Sequence, residues 1–168
     1  MYIQIKNMHT FVPTNIVVMN IEEIIKSTIQ LSINKKVMLN LTYTRNYLGD
    51  KFNDILKPYG ISSEQYNVLR ILRGQKGNPL NMQDIQERMV TKNSNTTRLI
   101  DKLLLKEMVI RNTCPNNRRK IEIKITENGL NILSELDPII ENHELLLTEK
   151  LTNDELETLN KLLEKIRN

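Results

Sequence analysis

The segment from Asn116 to Gly129, NNRRKIEIKITENG, restricts the fold more than any other stretch of this sequence. Ile121, Ile123 and Ile125 alternate with Lys120, Glu122 and Lys124. That period-two pattern marks a strand with one buried and one wet face. Val109 to Thr113 reads as its partner strand, Arg118 and Arg119 fall at the turn between the two, and Thr126 opens a helix. The unit is a β-hairpin with cationic side chains at its end. Such a shape can follow a phosphate backbone and reach into a groove.

Charge supports the same reading. The formal net charge is only +4, but Lys92 to Lys124 holds nine bases against three acids, a net +6 that leaves −2 for the rest. A basic block on a near-neutral body is the electrostatic footprint of a nucleic-acid binder, with a merely solvated charged face as the alternative. The 168 residues suffice for one domain with extended helices. Hydrophobic content of 39% supports a packed core, and with aromatics at 4% and no Trp that core is aliphatic. Cys114 is the single cysteine, so no internal disulfide or multi-cysteine metal site can form. His9 and His143 are far apart without metal-ligand spacing, and no structural metal or cofactor is expected. The longest apolar runs fall well short of the roughly 20 residues of a membrane span, and no cleavage site of small residues follows Val17 and Val18. The expected location is cytoplasmic.

Residues 1–18 show no clear period and read as a loose arm, or as an upstream extension with Met19 opening the core chain. Ile21, Ile24, Ile25, Thr28 and Ile29 then recur at helical spacing, and a second stripe runs from Val37 to Leu56. These are one long helix or two joined near Ser32 to Asn34. Lys57-Pro58-Tyr59-Gly60 ends the run, because the residue before proline disfavours helix and glycine permits a turn. Ser62 with Gln65 and Thr152 with Glu155 have capping-box spacing, and Asn81 can cap a short helix with Asp84 in its first turn. Asp137-Pro138 is expected to bend or break the helix that starts at Thr126. Residues 19–60 form an N-terminal helical region, 61–126 a DNA-binding lobe, and 127–168 a C-terminal helical region.

Two short helices around the polar turn Thr91 to Asn95 suggest a helix-turn-helix, the second helix lying in the major groove. Its leading residues, Lys92, Asn93, Ser94, Asn95, Thr96, Thr97 and Arg98, are small hydrogen-bonding side chains flanked by bases. They can bond base edges and phosphates. Asn, Ser and Thr also cluster at helix N-termini for capping alone. The hairpin that follows favours DNA.

The stretch from about Leu48 to Leu130 resembles the winged helix-turn-helix core of the multiple antibiotic resistance regulator (MarR) family. The family's wing signature, approximately D-x-R, five residues, L-T-x-x-G, stands here as Asn117-Arg118-Arg119, Lys120 to Lys124, and Ile125-Thr126-Glu127-Asn128-Gly129. NTTRLIDKLLLKEMVIR is similar to the family's recognition helix and its exit into the wing, and KPYGISSEQYNVLRIL to its join between first and second helices. The resemblance implies a mainly α fold with a β wing, long N- and C-terminal dimerisation helices, and a homodimeric transcription regulator, usually a repressor, on a double-stranded DNA operator. It implies a minor-groove role for Arg119, with Arg118 and Lys120 beside it, and an orienting role for Asn117. Asn117 stands where the family has aspartate, so the charge-assisted bond to the wing arginine is lost. Glu107 stands where the family has glycine, at a cost of about 1 kcal/mol if that site is left-handed.

Dimerisation has an argument of its own. Ile132, Leu133, Leu136, Ile139, Ile140 and Leu145 to Leu147, with the final helix, supply more apolar surface than one small winged domain readily covers. Packing of these helices within one chain is the alternative. The family responds to small aromatic or phenolic molecules, oxidants or occasionally metals. By that likeness Tyr43, Tyr47, Phe52 and Tyr66 are candidates to line an effector pocket, and ordinary core is the other reading. Cys114 reads as an incidental or structural thiol, a sensor role being the alternative. The sequence carries no nucleophile elbow, phosphate loop or His-centred triad, so an enzyme is not expected. A winged module used for protein or RNA contacts remains the rival to a DNA-binding regulator.

Overall fold

The computed structural model describes residues 19–114 and 117–168, and of Cys114 and residues 117–120 the backbone only. The expected arm at 1–18, including His9, lies outside the described residues.

Helices α1 (Ile21–Ile24) and α2 (Ile33–Leu56) are separate, and the break lies earlier and is longer than the sequence suggests. Asn20 and Glu23 form a capping box that starts α1. Lys26, at φ 52, turns the chain left-handed after a single turn. The Ser27 N–H then closes onto the Glu22 carbonyl at 2.9 Å, and the Ser27 hydroxyl donates to the Ile29 carbonyl at 2.8 Å. Local side-chain bonds of this kind compete with helix, so Thr28 and Ile29 stay outside it despite their spacing. The Glu22 carboxylate accepts from the Leu31 N–H at 2.7 Å and the Lys36 ammonium at 2.6 Å, which ties α1 to the start of α2. The Leu31 amide, then Lys36, hold that carboxyl below the usual carboxylate range.

Among the described residues, those up to Tyr47 belong to one compact unit and Leu48 onward to another. In the second, a 3₁₀ turn at Lys57–Tyr59 ends α2, and Gly60 at φ 64 supplies the left-handed residue that closes it. Helices α3 (Ser63–Arg73) and α4 (Met82–Arg88) both open on reciprocal capping boxes, Ser62 with Gln65 and Asn81 with Asp84. Helix α5 (Thr96–Leu105) leads into antiparallel strands β1 (Val109–Cys114) and β2 (Asn117–Ile125), which pair Val109 with Ile125 and Arg111 with Ile123. Helices α6 (Glu127–Thr148) and α7 (Asn153–Arg167) follow, the latter opened by the Thr152–Glu155 box.

One core joins these pieces. Val68, Leu69 and Leu72 of α3, Ile85 of α4, Ile100 and Leu103 of α5, Val109, Ile123, and Leu133 and Leu136 of α6 are all buried in it. Leu80 adds a link that no periodicity announces: its N–H and C=O exchange bonds of 3.1 and 2.8 Å with Ile123, as a one-residue third strand at the base of the wing. The alternation in β2 holds where it meets this core. Ile123 is fully buried and Ile125 half-buried, but Ile121 is exposed because the hairpin has by then left the body.

The expected break at Asp137-Pro138 does not occur; α6 runs through Pro138. Proline removes the bond to the Ser134 carbonyl, but Ser134 is exposed and that carbonyl can face water. Asp137 takes two bonds from the Arg73 guanidinium, at 2.6 and 2.9 Å, which fasten this part of α6 to α3.

Candidate nucleic-acid interface

Three helices hold the turn between α4 and α5. Asn67 of α3 accepts from the Val90 N–H at 2.9 Å. Gln86 of α4 donates to the Lys92 carbonyl at 2.5 Å and accepts from the Thr96 hydroxyl. The Lys92 ammonium folds back onto the Glu87 carbonyl at 2.6 Å, at the negative end of α4. Asn95 caps α5 through the Arg98 N–H at 3.1 Å. The turn is therefore defined by side-chain bonds and not by glycine.

Helix α5 begins three residues later than Asn93, and its burial pattern shows which way each predicted residue points. Thr96, Ile100 and Leu103 face inward. Asn93, Asn95, Thr97 and Arg98 are exposed, and so is Lys92 despite its bond to Glu87. Two of the expected residues are less open. Thr96 is 4% exposed and spends its hydroxyl on Gln86, so its side chain braces the turn. Ser94 is half-buried, with its hydroxyl oxygen enclosed and unbonded to protein. Lys102, absent from the expected set, lines a shallow groove of about 490 Å³ together with Asn93, Asn95 and Arg98. Its place four residues after Arg98 was the available signal, since that spacing returns to the same helix face.

At its far end α5 stops in a Schellman turn. The Met108 N–H reaches the Leu103 carbonyl at 3.0 Å and the Glu107 N–H reaches Leu104 at 2.9 Å, with Glu107 left-handed at φ 55. The glycine of the family pattern is thus replaced at a position that does need the left-handed backbone. The Thr126 hydroxyl donates to the Glu107 carbonyl at 2.7 Å, and the Thr126 N–H to Met108 at 3.1 Å. The signature threonine therefore binds the helix exit to the start of α6 as well as capping Gly129 at 3.1 Å. Gly129 is required for space: a Cβ there would lie within contact distance of the Met108 carbonyl and 2.8 Å from Ile125 Cγ1. Arg111 of β1 pairs with Asp101 of α5 at 2.8 Å, joining wing and helix. Asn117, Arg118, Arg119, Lys120 and Cys114 lie in the hairpin backbone, and their side chains are outside the described residues.

Of the four aromatic candidates, Phe52 and Tyr66 meet edge to face, 5.4 Å between ring centres. They line a pocket of about 250 Å³ with Ser63, Glu64, Asn67, Val90 and Thr91. Tyr43 and Tyr47 are exposed on α2, and neither lines this pocket.

A helix-turn-helix followed directly by a two-stranded hairpin, on one core, defines a winged helix-turn-helix protein. The MarR family model matches residues 61–121. The Multiple antibiotic resistance protein MarR of Salmonella typhimurium is 32% identical over 129 residues, covering 75% of this chain and 88% of that protein. The chain belongs to the MarR family and is a DNA-binding transcription regulator. The HTH-type transcriptional regulator MhqR of Bacillus subtilis is 27% identical over 137 residues, 79% of this chain and 91% of MhqR. Among solved structures, a cysteine-to-serine variant of MarR from E. coli complexed with operator DNA matches with a TM-score of 0.68 at 26% identity, covering 81% of this chain and 99% of that one. Among the described residues no helix is long and apolar enough to cross a membrane.

Proposed function

We propose that the chain acts in the cytoplasm as a homodimeric, ligand-responsive repressor on a double-stranded DNA operator. One observation carries the reading: α5 turns Thr96, Ile100 and Leu103 to the core and leaves Asn95, Thr97 and Arg98 exposed, with Lys102 lining the same groove as Asn95 and Arg98. That division gives a helix seated on its own protein with a polar, cationic face free for a major groove. The wing follows within a few residues, and Arg118 and Arg119 at its tip suit the adjoining minor groove. Arg119→Ala is expected to weaken operator binding by about 1–3 kcal/mol, measured by titration of labelled duplex.

A dimer is supported by apolar surface. Leu159, Leu162 and Ile166 of α7 are 44, 54 and 57% exposed, and Leu145 and Leu146 near the end of α6 are 65 and 57% exposed. A two-fold partner would cover them. An effector site is supported by the pocket at Phe52 and Tyr66, which is mostly apolar with a few polar groups.

The test is binding to DNA from the upstream intergenic region against random duplex at physiological salt. Selective binding with dimer stoichiometry and a steep salt dependence supports the reading. Equal, weak binding to both duplexes sinks it and leaves the winged fold serving another partner.

A further inference from the structure

The pocket beneath the turn has a chemical bias. Phe52 and Tyr66 give it an apolar wall, and Val90, 83% exposed, stands at its edge. Asn67 Oδ1 is already engaged by the Val90 amide. Among the described residues lining it, Glu64 is the only one charged at neutral pH; Arg70 donates to the Tyr66 hydroxyl at 2.9 Å and lies 5.8 Å from its ring centre, but is not one of the lining residues. A carboxylate or phenolate placed here would meet Glu64 with no cation among the lining residues, Arg70 being engaged on the Tyr66 hydroxyl, and like charges in a partly enclosed site repel. The Glu64 carboxyl is held below the usual carboxylate range by its own backbone N–H first and by the Ser62 hydroxyl second, so it does not escape by taking up a proton.

Glu64 and Thr91 also line the neighbouring groove that holds Asn95, Arg98 and Lys102. The two concavities share a wall made of one carboxylate and one residue of the turn. Anything that neutralises Glu64 in the pocket removes an anion from the edge of the DNA-reading groove.

We infer that the pocket selects a small aromatic molecule bearing a positive charge, the ring against Phe52 and Tyr66 and the cation on Glu64, and that this ligand and operator DNA tighten each other's binding. The inference rests on reading the pocket as an effector site. Thermodynamic linkage requires the coupling to be reciprocal, and its sign follows from the neutralised carboxylate beside a polyanion.

Phenethylammonium and salicylate, similar in size and opposite in charge, are the probes, titrated calorimetrically into the full chain with and without operator duplex. The expected result is that phenethylammonium binds at least tenfold more tightly than salicylate, that Glu64→Gln removes this preference, and that operator raises phenethylammonium affinity severalfold. Val90→Trp, a change at an exposed site that fills the pocket mouth, is expected to abolish amine binding and guards against misfolding of the Glu64 variant. Salicylate binding as well as the amine overturns the charge selectivity while leaving an effector pocket in place. Failure of both probes, with operator binding intact, overturns the effector reading itself. Release of operator by the amine overturns the proposed coupling.

Discussion

Glu107 shows how a single residue can depart from a family pattern and keep the geometry. Its backbone is left-handed at φ 55, and both Schellman bonds form around it. A side chain in that conformation costs about 1 kcal/mol relative to glycine. Glu107→Gly is therefore expected to raise unfolding stability by roughly that amount, seen as a higher denaturant midpoint at unchanged slope. The sequence made this site legible only through comparison with a pattern, because nothing in the residues KEM themselves announces a left-handed turn. Thr96 illustrates a different limit. Sequence places it among exposed polar residues, but it stands four residues before Ile100 and seven before Leu103 and so shares their buried face. Composition marks the cluster as polar but does not say which member shares the apolar face of the helix.

At the scale of elements, the tie between α3 and α6 has a pH signature. Asp137 is held below the usual carboxylate range by its hydrogen bonds from Arg73, with the charges of Arg73 and Arg70 adding to this. The ionised pair contributes fully above the ordinary aspartate pKa of about 4 and is lost as pH falls through the lowered folded value. Asp137 is 41% exposed, so solvent screening keeps its worth small. Asp137→Asn is expected to cost about 0.5–1 kcal/mol at neutral pH and nothing at strongly acid pH, read by denaturation at both. On α5, Arg98→Ala and Lys102→Ala are each expected to flatten the log–log salt dependence of DNA binding by about 0.9 if the side chain neutralises a phosphate. An unchanged slope would remove that residue from the interface. The capping boxes at Ser62 and Thr152 and the Asn81 cap were readable because their chemistry is complete within four residues, although the equally local box at Asn20 was not read. The continuity of α6 was not, since what holds it past Pro138 includes Arg73, 64 residues away from its partner.

For the whole molecule, α7 is the telling element: it has no buried residue, although Leu156 to Ile166 gives it an apolar face. A helix of this length is marginal alone, so that face needs a cover. Under the proposed dimer, Leu162→Glu is expected to give monomer in sedimentation analysis and to lower operator affinity with it. A dimer unaffected by this change would place the interface elsewhere. Element order and the hairpin were legible from periodicity and charge, and the protein's class followed from them. Leu80 was not, because one residue pairing with Ile123 leaves no periodic trace.

That small bridge has a consequence for how a target site can vary. Leu80 precedes the Asn81 cap of α4, and Ile123 lies at the foot of the wing, so the two backbone bonds tie the helix pair to the hairpin. A tie of this kind resists changes in the span between helix and wing. Under the proposed two-fold binding, each half-site would keep one length, and tolerance among operators would come from the spacer between the halves.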